Sequence, residues 1–179
     1  MIGVLVSGEG SNLQALLAAD LPVSAVASNR DGVRALERAA AAGVPAAAFE
    51  LDGFADRPQR DATMANWLQE QGVRLVVCAG YMQLLTSAFL ERFPDRIVNV
   101  HPSLLPQFPG ARAIDDALAA GVETTGVTVH LVDEGLDTGT VIRQETVPVQ
   151  PRETLTERIH AVEHRLLPAV VSELVGVRA

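Results

Sequence analysis

Short apolar runs separated by helical stretches leave a chain like this few ways to fold. Runs rich in valine, isoleucine and alanine occur at Ile2–Val6, Val23–Ser28, Ala46–Phe49, Leu75–Ala79 and Ile97–Val100. Between them, helical spacing marks Asn12–Ala19, Gly32–Ala42, Arg60–Gln71 and Ser87–Arg92. Gly43-Val44-Pro45 and Gly72 supply the stops expected after helices. Strands joined through helices predict a parallel sheet with helices on both faces.

The pattern then changes. A short helix is expected near Ala113–Ala120, followed by two β runs, Thr125–Val132 and Thr140–Val147, joined by Asp133-Glu134-Gly135-Leu136-Asp137-Thr138-Gly139. That loop is too short for a helical crossover, so the two runs are expected to be antiparallel neighbours. Glu153 to Val175 reads as a long amphipathic helix, with a bend expected at Pro168. No linker or repeat divides the 179 residues, so one domain is expected.

Composition excludes several classes. With 48% hydrophobic and 20% charged residues the chain is not disordered. One cysteine, Cys78, rules out a disulfide framework or a multi-cysteine zinc site, and no His/Asp/Glu spacing suggests a metal. The opening Met1-Ile2-Gly3-Val4-Leu5-Val6 reads as a strand and not as a signal peptide, and no apolar run is long enough to span a bilayer. A soluble protein of a reducing compartment is expected. Net charge is −8, and all fourteen basic residues are arginine. The absence of lysine excludes Schiff-base chemistry and a Walker-type phosphate lysine. Scattered arginines on an acidic chain make nucleic acid an unsuitable partner.

In an open α/β sheet, ligands bind beyond the carboxyl ends of the strands. After the first strand stands Ser7-Gly8-Glu9-Gly10-Ser11-Asn12-Leu13. Its glycines and the helix start behind them suit a phosphate held by backbone N–H groups. Leu13 occupies the place of a third glycine, and no acidic residue ends the second strand, which disfavours a dinucleotide. A monophosphate is the preferred ligand, and a purely structural turn is the alternative. After the fourth strand, Gly80-Tyr81-Met82-Gln83-Leu84-Leu85 is either an ordinary loop or an apolar wall for a flat heterocycle.

The fifth strand ends in Asn99-Val100-His101-Pro102-Ser103-Leu104-Leu105-Pro106. Alternation puts Asn99 and His101 on one face, where an amide donor and an imidazole suit an oxyanion and a proton transfer. From residue type alone, a histidine satisfied in a turn is the commoner case. A carboxylate among Asp133, Glu134 and Asp137 would orient such a ring and hold it charged. Cys78 reads as a buried small hydrophobe. For His130, inside a strand, and His164, on the last helix, core or capping roles are expected.

Taken in order, Val4 to Leu16, Ala79-Gly80-Tyr81-Met82, Asn99 to Pro106, Gly126 to His130 running on to Leu136-Asp137-Thr138-Gly139, and Glu163-His164 with Pro168 closely resemble the folate-dependent phosphoribosylglycinamide formyltransferase family. The resemblance implies a Rossmann-like formyltransferase fold, mostly parallel with an antiparallel C-terminal strand pair. It implies a phosphate-binding N-terminal half, about 1–95, and a folate-binding catalytic half, about 96–179. Asn99, His101 and Asp137 fall on the catalytic trio. Gly10, Ser11, Asn12, His160 and Glu163 fall on the binding site for glycinamide ribonucleotide. Arg57, Met82, Gln83, Leu84, Leu85, Asn99 and Asp133 to Asp137 (with Glu134, Gly135 and Leu136) fall on the folate pocket.

The implied reaction is formyl transfer from 10-formyltetrahydrofolate, as co-substrate and without a metal, in cytoplasmic purine synthesis. Two small-molecule substrates are implied, with no nucleic acid or membrane partner and a homodimer left open. Other folate-dependent formyltransferases, a formyltetrahydrofolate hydrolase and a non-catalytic nucleotide- or folate-binding module are the alternatives. Three departures from the family pattern stand out: Glu9 in the phosphate turn, Gln83 in place of arginine and Arg112 in place of histidine.

Overall fold

The computed structural model describes residues 1–176. The chain forms two compact units, Met1–Val98 and Asn99 onward. The strand order of the sheet is β3-β2-β1-β4-β5-β6-β7, with β5 (Ile97–His101) carrying the boundary between units.

The first unit contains β1 (Ile2–Val6), α1 (Ser11–Ala18), β2 (Val23–Ser28), α2 (Arg34–Ala41), β3 (Ala46–Ala48), a 3-10 turn (Leu51–Gly53), α3 (Arg57–Glu70), β4 (Leu75–Cys78) and α4 (Ser87–Leu90). β1 is buried along its whole length and pairs in parallel with β2 on one side and β4 on the other. Its register sets Val4 against Val26 and against Val77. The order of connection reverses at β1, because β2 and β3 extend one way and β4 the other. The carboxyl ends of β1 and β4 therefore flank a topological switch point, where such sheets place ligands.

α3 begins at Arg57, ahead of the Arg60 expected from spacing. Asp56 accepts the Gln59 N–H at 2.8 Å, Gln59 Oε1 accepts the Ala55 N–H at 2.7 Å, and a proline occupies the first turn. Reciprocal capping and proline's fixed φ start a helix where the apolar pattern is silent. Cys78 is 6% exposed, and burial pushes its thiol up to about 12, as an inert core residue requires.

The second unit contains the end of β5, α5 (Ala113–Ala120), β6 (Thr124–Leu131), β7 (Val141–Pro148), a 3-10 turn (Arg152–Thr154) and α6 (Leu155–Val175). β6 and β7 are antiparallel, from Thr124 opposite Pro148 to His130 opposite Val141, with a register shift between Val129 and His130. α6 packs on β6 and β7. It buries Leu155, Ile159, Val162, Leu166, Leu167, Val170 and Val171, one stripe at helical spacing. Each such side chain contributes about 1.5–3 kcal/mol of burial, which is enough to keep the helix continuous through Pro168. Among the described residues, no helix is long and apolar enough to cross a membrane.

Candidate active site

In the second unit, β5 delivers Asn99 and His101 two residues apart, and His101 is 4% exposed. The segment that follows is pinned to the β6–β7 pair by a hydroxyl and an amide. Thr128 Oγ1 donates to the Ser103 carbonyl at 2.6 Å and accepts the Leu105 N–H at 3.1 Å. Gln144 Nε2 donates to the Leu105 carbonyl and to Thr128 Oγ1, at 2.9 and 2.8 Å. The chain then turns through Phe108 (φ 51°) and Gly110 (φ 88°). This turn aims the Phe108 carbonyl at His101 Nε2, 2.8 Å away, and the Gly110 N–H at Asp137 Oδ2, also 2.8 Å.

Asp137 is the hub. Its Oδ2 lies 3.4 Å from His101 Nδ1, and its Oδ1 lies 3.4 Å from Asn99 Nδ2 and 3.6 Å from His130 Nε2. The three side chains assigned to the trio thus meet at one carboxylate. His101 has an acceptor at each nitrogen, so the doubly protonated ring is satisfied on both sides.

His130 is the residue that sequence reasoning missed. It is buried on β6, but its ring is part of this cluster and not a core filler. Nδ1 donates to the Leu131 carbonyl at 2.7 Å, and Nε2 accepts from Asn99 Nδ2 at 3.1 Å when the ring is neutral. A proton on Nε2 would turn it toward Asp137 instead, because one nitrogen cannot accept and donate at once. The available signal was a histidine in an apolar strand next to the loop that carries Asp137.

The electrostatics follow from these contacts. Burial pushes the Asp137 carboxyl up. The His130 hydrogen bond, the Gly110 N–H and the charges of His101 and His130 outweigh that, and the group titrates below its ordinary 3.8. A carboxylate depressed in this way adds stability at pH values above about 4, which is lost as pH falls through its folded-state pKa. In Asp137→Asn the stability difference from the parent protein is therefore expected to shrink as pH falls below about 4. Denaturant titrations at stepped pH measure this. A difference that persists unchanged into strong acid contradicts the charged role.

The rest of the Asp133–Asp137 segment is shaped by Asp133, which accepts the Gly135 N–H at 3.0 Å and the Thr138 hydroxyl at 2.7 Å. Leu136 is left 51% exposed and Glu134 is exposed. On α6, Glu163 is buried, while exposed His160 stacks on His164 at 6.1 Å. Burial, then the neighbouring His160, holds the His164 imidazole below its ordinary range.

In the first unit, Gly10 sits at the N-cap of α1 in the left-handed region (φ 72°), and no side chain caps that helix. Ser7 is buried behind it, donating to Asn29 Oδ1 at 2.6 Å and accepting the Met82 N–H at 2.9 Å. The turn after β1 and the loop after β4 are thereby tied together, a link that the sequence did not reveal.

That loop is held from below by α3. Arg57 donates to the Leu84 carbonyl, fully buried Arg60 to Gln83 Oε1 and to Asp61, and Asp61 accepts the Thr86 N–H at 2.9 Å. Met82 and Leu84 are left 63% and 48% exposed on this fixed backbone, while Leu85 is buried. Apolar side chains held outward on a rigid loop fit an apolar heterocycle. Arg112 stands at the N-cap of α5 without a capping bond from its side chain. Among the described residues, no group of three or more His, Cys, Asp or Glu is arranged to hold a metal ion.

Comparison with known proteins gives consistent findings. The profile of the formyl transferase family matches residues 1–171. Phosphoribosylglycinamide formyltransferase from Mycobacterium tuberculosis is 49% identical over 96% of this chain and 83% of its own length. The Bacillus subtilis enzyme of that name is 36% identical over 97% and 94%. The trifunctional purine biosynthetic protein adenosine-3 of Drosophila melanogaster is 42% identical, but this chain spans only 14% of its length. The crystal structure of the phosphoribosylglycinamide formyltransferase from Streptococcus pneumoniae superimposes with a TM-score of 0.93 at 43% identity, covering 97% of this chain and 98% of that one.

Proposed function

The chain belongs to the formyl transferase family, and on that premise we propose that it moves the formyl group of 10-formyltetrahydrofolate onto the amine of glycinamide ribonucleotide. The observation that carries the reading is the meeting of Asn99 and His101 at Asp137, at 3.4 Å on each side.

The bound formyl folate supplies an electrophilic formyl carbon. As the substrate amine bonds to that carbon, charge moves onto the formyl oxygen. Asn99 Nδ2 and His101 Nε2 are the donors for it. Asn99 Nδ2 faces His130 Nε2 at 3.1 Å and Asp137 Oδ1 at 3.4 Å, and His101 Nε2 faces the Phe108 carbonyl. A developing oxyanion is a stronger acceptor than a neutral carbonyl, so exchange of Phe108 for substrate is favourable. Asp137 orients the His101 ring and, through water, passes the amine's proton toward the folate nitrogen as its bond to the formyl carbon breaks.

Gly10, Ser11 and Asn12 take the phosphate on the uncapped start of α1, and His160 and Glu163 take the rest of that substrate. Arg57, the Met82–Leu85 loop (Met82, Gln83, Leu84, Leu85) and the Asp133–Asp137 segment (Asp133, Glu134, Gly135, Leu136) take the folate. The same reading makes residues 1–179 one formyltransferase domain, working in the cytoplasm on two small molecules.

The test mixes the protein with 10-formyltetrahydrofolate, with and without glycinamide ribonucleotide, and follows folate absorbance. Deformylation that requires the ribonucleotide is expected. Deformylation without an acceptor would select a hydrolase, and its absence in both mixtures a binding module.

A further inference from the structure

Glu9 immediately precedes the N-cap of α1 and is 60% exposed at its side chain. A carboxylate here sits at the positive end of the helix dipole and, by its charge, opposes any second anion. Yet its surroundings reverse the local balance. Glu9 Oε1 is held by Arg38 at 2.9 Å and by Arg34 at 3.1 Å, both on α2. Arg38 also donates from Nε to the Glu9 carbonyl at 2.9 Å and from Nη1 to Gln14 Oε1 on α1 at 3.1 Å. Two guanidinium groups against one carboxylate leave these three side chains with a net positive charge. Exposed ion pairs of this kind contribute little to folding stability. Their effect on the local potential is another matter, because charges within a Debye length, about 10 Å at 0.1 M salt, act on a ligand directly.

We propose that Arg34 and Arg38 are specificity-determining residues that mask Glu9, so that the Gly10–Asn12 turn receives a phosphate monoester in spite of the acidic residue beside it. This rests on the assignment of that turn to the ribonucleotide phosphate. It differs from a direct phosphate contact, because the arginines act by neutralising Glu9.

Masking makes an unusual prediction: loss of an arginine is repaired by loss of the acid. Calorimetric binding of glycinamide ribonucleotide, at low salt and without folate, measures it. Arg38→Gln is expected to weaken binding about tenfold, and Arg34→Gln about threefold. Arg38→Lys keeps the charge and should hold affinity within about twofold of the parent. The double variant Glu9→Gln/Arg38→Gln should return to within about threefold of the parent. Formyl folate affinity should stay within about twofold throughout, and 0.5 M salt should shrink the Arg38→Gln defect.

An unchanged affinity in Arg38→Gln overturns the proposal. So does a double variant as weak as Arg38→Gln, since a direct ligand or a mere scaffold is not rescued by Glu9→Gln. If the parent protein binds the ribonucleotide and only the rescue fails, masking alone is wrong. If the parent does not bind it, the acceptor assignment fails and masking with it.

Discussion

Alanine at His101 is expected to lower kcat by two to three orders of magnitude, while KM for either substrate moves by less than about threefold. On the proposed mechanism the imidazole donates to an oxygen whose charge develops only as the amine bonds to the formyl carbon, so its removal affects the chemical step more than binding. Loss of one such donor typically costs about 3–4 kcal/mol of barrier. The ring is buried, and its removal leaves the Phe108 carbonyl and Asp137 Oδ2 each short of a partner. A stability loss of about 1–3 kcal/mol is therefore expected alongside, and a melting curve confirms that the variant is folded when assayed. Asn99→Ala should show the same split. The double variant should lose less than the product of the two, because both donors serve one oxygen. A folded His101→Ala protein with near-normal kcat would remove the histidine from the mechanism.

Gly10→Ala is expected to be the most damaging single change in the phosphate turn. Gly10 has φ 72°, and a Cβ there would lie 2.6 Å from Ala35 Cβ and 2.8 Å from Ala35 Cα. Left-handed geometry costs a non-glycine residue about 1 kcal/mol, and a contact with backbone atoms cannot be relieved by a rotamer change. Ala35 lies in the first turn of α2 and donates its N–H to the Gly8 carbonyl at 3.0 Å, so the two helices would have to separate. A loss of about 3 kcal/mol, or a Tm drop on the order of 10 °C, is expected, together with ribonucleotide binding weakened by at least tenfold. Gly8→Ala is the control, because no heavy atom lies within 4 Å of a Cβ built there. Equal stability of the two variants would show that the turn tolerates a side chain at Gly10.

Much of the fold was legible because its signals are local. The five runs expected in the first hundred residues became β1 to β5, with ends moved by one residue at most. Alternation placed Asn99 and His101 together, since period two depends only on the pleat. The capped start of α3 and the 3-10 turn at Leu51–Gly53 escaped, because a cap or a short turn has no apolar period. His130 escaped for a different reason. β6 is buried on both faces from Thr125 to His130, so no apolar–polar alternation separates a ring facing the site from one filling the core.

By itself the sequence determined the strand and helix succession, the glycine-dependent turn after β1 and the pair of donors at the end of β5. Each of these follows from bonds and torsions between near neighbours in the chain. Only the tertiary structure decided that Asp137 faces His101 across 36 positions, that Ser7 reaches Met82, and that Glu9 is neutralised by α2. Charge and hydrogen bonding act through space and fall off within a few ångströms. Whether a carboxylate activates a ring or repels a ligand is therefore set by which distant groups the fold brings beside it.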